Sequence, residues 1–356
     1  MFNQRVVLAK RPDESFPSKI DCFSYINDAP MPDPQSLKPN ELLLKIIYIS
    51  IEPVTRVWIS GARSYINPTN ISDPIPSFGI AQVLFSKDPK FKPQDVVCGM
   101  FAWENYHITN SSLAFKIPEE FVTRSLPKFL SLFGPTGITA YLGLQEAGNP
   151  KENDVLVVSA AAGSCGSIVV QLGKRWGCKV IGIAGSDEKC EFVKKIGADD
   201  CINYKKADQN NTLGKILRQS IRKINGTGVD IFFDNVGEAS LDAVLENLNE
   251  KARIVMCGAM ATYGNWKNYL GVKNMTNIIF KRGVLQGILY FGQMEKMKEA
   301  LMGLWVMNQQ KEIVTVEEII PGIENAPKAL QKVYYGENKG KYIIAVRENN
   351  LYSAKL

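Results

Sequence analysis

One histidine, His107, stands in 356 residues, and the seven cysteines (Cys22, Cys98, Cys165, Cys178, Cys190, Cys201 and Cys257) contain no C-x-x-C pair. A structural zinc site needs clustered Cys and His ligands, and a disulfide framework pairs an even set, so neither organises this chain. Unpaired thiols suit a reducing compartment. No apolar run approaches the roughly 18 residues of a membrane span. The first ten residues lack an apolar block followed by a small-residue cleavage site, so no secretory signal is expected. The net charge of +6 is scattered along the chain. Without a basic stripe or arm, nucleic acid is not an expected partner. Internal repeats and low-complexity tracts are also missing.

What is present is an ordinary globular composition, 45% hydrophobic and 22% charged, over a length that suits about two domains. The first 125 residues or so read as β-rich. Strand patterns lie at 5–8, 41–51, 78–85 and 95–101, with proline-crowded turns between them. Near residue 137 the rhythm changes. The apolar run 154–159 reads as a strand buried on both faces. A helix over 167–176, a strand over 179–184, a helix over 188–196 stopped by Gly197, and strands over 229–233 and 253–257 follow. This alternation predicts βαβ units and a parallel sheet. A helix over 293–308 precedes strand-like pieces at 313–319 and 342–346 around a helix at 326–335. That tail is expected to return to the first domain. The expected division is 1–130, 131–310 and 311–356.

The segment Val157-Val158-Ser159-Ala160-Ala161-Ala162-Gly163-Ser164-Cys165-Gly166-Ser167 joins a buried strand to a helix. Its pattern, Ala161-x-Gly163-x-x-Gly166, is the dinucleotide fingerprint with alanine at the first glycine. Gly163 would let the backbone approach a pyrophosphate and Gly166 would let the helix pack close to the sheet. The helix N-terminus would meet the anion with free N–H groups. Ala162, Gly163, Ser164, Cys165 and Gly166 are therefore candidate cofactor residues. A plain βα turn without ligand is the competing reading. At the end of the second strand the chain reads Gly185-Ser186-Asp187-Glu188-Lys189. Gly185-Ser186 leaves room for an extra phosphate, and Lys189 could pair with it, which favours NADPH over NADH. Asp187 has the spacing of a ribose-binding acid and is read as the N-cap of the next helix.

These blocks, with Gln4-Arg5-Val6-Val7-Leu8, Tyr48-Ile49-Ser50-Ile51-Glu52-Pro53, Arg56, Gly137-Ile138-Thr139-Ala140-Tyr141, Ile202-Asn203-Tyr204-Lys205, Phe233-Asp234-Asn235-Val236-Gly237, Cys257-Gly258-Ala259, Tyr263 and Asn338-Lys339-Gly340-Lys341, resemble the zinc-independent medium-chain reductases. The resemblance is to the 15-oxoprostaglandin 13-reductase and leukotriene hydroxydehydrogenase family and spans nearly the whole chain. It implies a Rossmann-type doubly wound parallel sheet inserted into a β-rich, GroES-like catalytic domain, and a homodimer. It also implies that Lys189 and Tyr204 hold the adenosine phosphate end. Asn235 and the loop from Cys257, Gly258 and Ala259 to Tyr263 would line the nicotinamide side, with Asn338 reaching in, and Ile288, Leu289 and Tyr290 are further expected cofactor contacts. Two departures broaden the substrate expectation. Residues 264–269 lack a proline-rich loop, and Val54-Thr55 replaces a Tyr-Met pair.

Reducing an enone without a metal needs a positioned hydride donor and hydrogen-bond donors at the carbonyl oxygen. Tyr263 is the leading donor, since tyrosine stays protonated at neutral pH. Tyr48, Met100, Phe101, Trp103, Tyr263 and Tyr290 are candidates for an apolar wall around a lipid-like substrate, with core packing the alternative for each. Three functions compete: an NADPH-dependent enone reductase acting on 15-oxo lipids, a broad 2-alkenal or quinone reductase, and a non-catalytic nucleotide-binding protein. The last would keep Gly163 and Gly166 but need no Tyr263. The expected compartment is the cytoplasm. The terminal Ala354-Lys355-Leu356 resembles a peroxisomal address and offers an alternative.

Overall fold

The computed structural model describes residues 2–122, 126–208, 212–263, 271–290 and 292–346. The chain forms two units, residues 1–130 with 317–356, and residues 131–316. The C-terminal tripeptide and residues 264–269 lie outside the described residues.

The first unit is antiparallel. β1 (Arg5–Leu8) pairs with β2 (Phe23–Ile26). β3 (Glu41–Ser50) pairs with β4 (Pro76–Ser86), which pairs with β5 (Val96–Ala102). β6 (Tyr106–Asn110) lies against β3, and β7 (Ala114–Lys116) against β5. β3, with eight of its ten residues buried, is the spine of this sheet. Its inner face packs Leu42, Leu44, Ile46 and Ile49 into a core shared with Phe101 and Trp103.

The second unit holds β8 (Val155–Val158), β9 (Lys179–Ala184), β10 (Asp200–Asn203), β11 (Val229–Asp234), β12 (Leu248–Met256) and β13 (Val284–Gly287). All are parallel, in the order β10-β9-β8-β11-β12-β13. Numbered from β8, this is the doubly wound 3-2-1-4-5-6 order, whose direction reverses between β8 and β11. Every residue of β8 is buried, because helices cover both faces of such a sheet. The helix Ser164–Arg175 lies close over β8 because of Gly173. A Cβ there would come within 2.4 Å of Leu156 Cδ2.

β14 (Glu317–Pro321) and β15 (Lys341–Ala345) belong to the first unit. β15 runs antiparallel to β3, with Ile343 opposite Ser50 and Ala345 opposite Tyr48, and β14 runs parallel to β15. Lys341 is buried and pairs with Glu52, which also accepts a 2.6 Å bond from Ser50 Oγ. The strand expected over 313–319 forms instead at Glu317–Pro321. The reason is Gln171. Its Nε2 donates to the Val314 carbonyl at 2.8 Å and its Oε1 accepts the Val314 N–H at 2.7 Å. The groups that Val314 would offer to a ladder are already taken.

Candidate active site

The turn after β8 folds as a compact loop. Ala161 N–H reaches the Ile183 carbonyl at 3.0 Å, and Gly163 N–H reaches the Ala160 carbonyl at 2.9 Å. Ala160 holds a φ of 47°, a left-handed conformation that costs an alanine on the order of 1 kcal/mol. Alanine at the first fingerprint position is accommodated by the opposing strand. A Cβ at Gly182 would lie 3.0 Å from that of Ala161, so Gly182 supplies the room. Gly166, on the helix, comes close to the backbone that follows β8. A Cβ there would meet the Ala160 carbonyl oxygen at 2.4 Å, so this glycine lets the start of the helix lie against the turn, and Gly173 does the same farther along, over β8. Ser164 opens the helix, and its buried Oγ has no hydrogen-bond partner among the described residues. A polar atom left over at a helix N-terminus, beside a turn too tight for side chains, fits an anionic ligand such as a pyrophosphate. Ala162 is buried, and Gly163 and Cys165 are half-buried, in the same turn.

Three strand ends are tied together at the point where the sheet reverses. Asp234, fully buried at the end of β11, accepts from Ser159 Oγ at 2.8 Å and from the Val236 N–H at 2.9 Å. The Gly237 N–H reaches both of its oxygens, at 3.0 and 3.1 Å. Burial pushes its carboxyl above the ordinary range, while the Gly237 and Val236 N–H groups and the Ser159 hydroxyl pull the other way. Asn235 is locked to β8: its N–H donates to Ser159 Oγ and its Nδ2 to the Ser159 carbonyl, each at 2.8 Å. The Asp234 carbonyl accepts the N–H groups of Cys257 (2.9 Å) and Gly258 (3.0 Å) from the loop after β12. The Asn235 and Val236 carbonyls take those of Met260 and Ala261. Tyr263 ends this loop. Its oxygen accepts the Ala259 N–H at 3.2 Å, which leaves its own O–H hydrogen to donate elsewhere. Burial raises its pKa further, so it stays a protonated donor at neutral pH.

At the end of β9, Gly185 gives space to Tyr204. A Cβ at Gly185 would lie 3.2 Å from Tyr204 Cε1 and 3.5 Å from Lys205 Cε. Ser186, not Asp187, caps the following helix Asp187–Lys195, accepting the Lys189 N–H at 3.2 Å. Asp187 is drawn sideways instead. Its two oxygens accept from Asn203 Nδ2 at 2.8 Å and Lys206 Nζ at 2.5 Å. Ser186, Lys189, Tyr204 and Lys205 thus gather at one strand end. Lys205 is not singled out in the sequence because only the fold lays its side chain beside Gly185.

The remaining candidates divide between the units. Ile288 donates its N–H to the Met256 carbonyl at 3.1 Å, and its Cδ1 would sit 2.4 Å from a Cβ at Gly143. Tyr290 packs with Ile138, Leu142 and Ala300, and Leu289 is exposed. In the first unit, Tyr48 is buried on β3 and Met100 is half-buried on β5. Phe101 and Trp103 are core residues, Trp103 stacked on Phe23 at 5.7 Å. Asn338 Nδ2 donates to the Gly340 carbonyl at 3.0 Å. His107 Nδ1 lies 2.6 Å from Glu104 Oε1. Among the described residues no three His, Cys, Asp or Glu side chains gather as a metal ion would require.

A doubly wound parallel unit with a glycine turn at its reversal point, interrupting a β-rich unit in sequence, defines a two-domain dehydrogenase architecture. Residues 165–305 match the zinc-binding dehydrogenase family, and residues 4–117 match the N-terminal domain of oxidoreductases. A 2-alkenal reductase (NADP(+)-dependent) of Nicotiana tabacum is 36% identical over 86% of this chain and 88% of its own. Prostaglandin reductase 1 of Bos taurus is 33% identical over 86% and 90%. The crystal structure of CurA from Vibrio vulnificus in complex with NADPH superposes with a TM-score of 0.86 at 32% identity, over 97% of this chain and 99% of that one. The chain belongs to the zinc-independent medium-chain reductase family, a branch of the zinc-binding dehydrogenases.

Proposed function

We propose that this protein uses NADPH to reduce the carbon–carbon double bond of α,β-unsaturated ketones and aldehydes. The observation that carries this reading is the Tyr263 hydroxyl, a protonated donor in a loop fastened to Asp234 and Asn235 at the reversal point of the sheet. Ligands of open α/β sheets bind outside the strand ends at such a point. When bound, NADPH supplies the hydride. The chain's own residues bind and orient. The turn from Ala162 to Gly166 would take the pyrophosphate, and Ser186, Lys189, Tyr204 and Lys205 the adenosine phosphate. Asn235, the Cys257–Ala259 stretch, Ile288, Leu289, Tyr290 and Asn338 complete the proposed cofactor set. Tyr263 would donate to the substrate carbonyl oxygen, where negative charge grows as the β-carbon is reduced. The proposed apolar substrate residues are Tyr48 and Met100 on the first unit and, separately, Tyr290 on the second; Phe101 and Trp103 belong to the core of the first unit.

Both 15-oxoprostaglandins and 2-alkenals fit this chemistry, and the relatives include a reductase named for each class. Turnover of NADPH with a 15-oxoprostaglandin, a 2-alkenal and a quinone ranks them. Tyr263→Phe is expected to lower enone turnover about 10- to 100-fold with the Kd for NADPH unchanged. Undiminished turnover would remove the tyrosine from the mechanism. Failure of every enone with the wild-type protein would sink the reading itself. The proposed compartment is the cytoplasm; a fluorescent protein fused ahead of residue 1, with and without residues 354–356, reads out the peroxisomal alternative.

A further inference from the structure

Asp187 follows Gly166 by 21 positions (187 − 166), about where dinucleotide-binding proteins place the acid that grips the adenosine ribose. An acid free in that place would favour NADH and repel a 2′-phosphate. Here it is not free. Asn203, the last residue of β10, holds Oδ1, and Lys206, in the first turn of the next helix (Tyr204–Asp208), holds Oδ2. Adjacent lysines take different directions: Lys205 lies against Gly185, whereas Lys206 turns to Asp187. Lys206 lies just beyond the Ile202-Asn203-Tyr204-Lys205 block that carries the family resemblance.

We propose that Lys206 and Asn203 form a clamp that disarms Asp187, and that this clamp sets the preference for NADPH. The inference rests on the NADPH reading above. Lys206 is on this view a positioning residue. It acts on the cofactor by neutralising Asp187 and drawing it away from the ribose, not by touching the phosphate. Removing it leaves a carboxylate still bonded to Asn203 but with its charge no longer offset, beside two negative charges of the 2′-phosphate. At a separation of several ångströms in a water-like medium, that repulsion weakens NADPH binding roughly fivefold at low ionic strength, and salt diminishes it.

The test is a set of dissociation constants for NADPH and NADH, measured by fluorescence titration on wild type, Lys206→Ala, Asp187→Asn and the double variant. The expected result is that Lys206→Ala raises the Kd for NADPH about fivefold at low salt, leaves NADH unchanged or tighter, and has no effect in the Asp187→Asn background. A loss for NADPH of equal size in both backgrounds would overturn the clamp, because Lys206 would then be holding the phosphate directly. No change in Lys206→Ala would also overturn it. A wild-type protein that binds NADH as tightly as NADPH would instead defeat the underlying cofactor reading, so the two failures are distinct.

Discussion

Asp234 is fully buried and accepts four hydrogen bonds from three donors, and this makes it costly to remove. Asp234→Ala would strand the N–H groups of Val236 and Gly237 and the hydroxyl of Ser159 in the interior. We expect a loss of about 2–4 kcal/mol in urea unfolding, and weakened NADPH binding. An unchanged unfolding midpoint would refute the assignment. The importance of this residue is illegible in the sequence because its partners lie apart: Ser159 is 75 positions away. The glycine turn after β8 is legible because its signal is local, a buried strand, small residues and a helix start within eleven positions. The helix cap shows the limit of local reading. Ser186 and Asp187 are both good cap residues in isolation. The choice between them is made by Asn203 and Lys206, which engage Asp187 from another strand end.

Among the elements, β10 is held by the helix Leu213–Lys223. Asp200, at the start of β10, accepts from Ser220 Oγ at 2.6 Å and from Lys223 Nζ at 3.0 Å. Burial alone would raise the Asp200 pKa, but Ser220, Lys223 and the Cys201 N–H hold it below the ordinary value. The sign follows from linkage. A depressed carboxylate contributes stability that is complete above the unfolded-state pKa, near 3.9, and is lost as pH falls through the lower folded value. Unfolding midpoints should therefore decline on acidification below about pH 5, and Asp200→Asn should flatten part of that decline. Identical pH profiles for variant and wild type would show that this contact is idle. β10 itself escapes sequence reading because Asp200-Cys201-Ile202-Asn203 is short and polar at both ends. β9, six residues with five buried, does not. The shift of β14 has the same kind of cause as the helix cap: a side chain remote in sequence, Gln171, competes for the backbone.

On the scale of the whole molecule, β13 is the outermost strand of its sheet among the described residues, and all four of its residues are exposed. Ile279, Phe280, Val284 and Leu285 bring exposed apolar surface to that edge. An open edge strand with apolar flanks is a template for pairing, and we propose that a second copy of the chain occupies it. Val284→Glu combined with Leu285→Lys is expected to convert a dimer to a monomer in sedimentation experiments, with the circular dichroism spectrum retained. A wild-type protein that sediments as a monomer at micromolar concentration would reject the proposal. The return of the chain to the first unit is foreshadowed by strand-like residues near the end of the sequence, although the sequence reading puts the return at 311 and the structure at Glu317. The pairing of β15 with β3 has a consequence for synthesis. Ser50 and Ile343 face each other across 293 positions (343 − 50). At about 5–20 residues per second, the ribosome needs roughly 15–60 s to deliver the second strand after the first. The central strand of the first unit is thus made early: β6 soon covers Glu41–Lys45 on one of its edges, but the Tyr48–Ser50 end of that edge waits unpaired throughout that interval. The 131–316 unit, continuous in sequence, is free to fold while the first unit waits, and a chaperone that shields exposed strand edges would find its client in that interval.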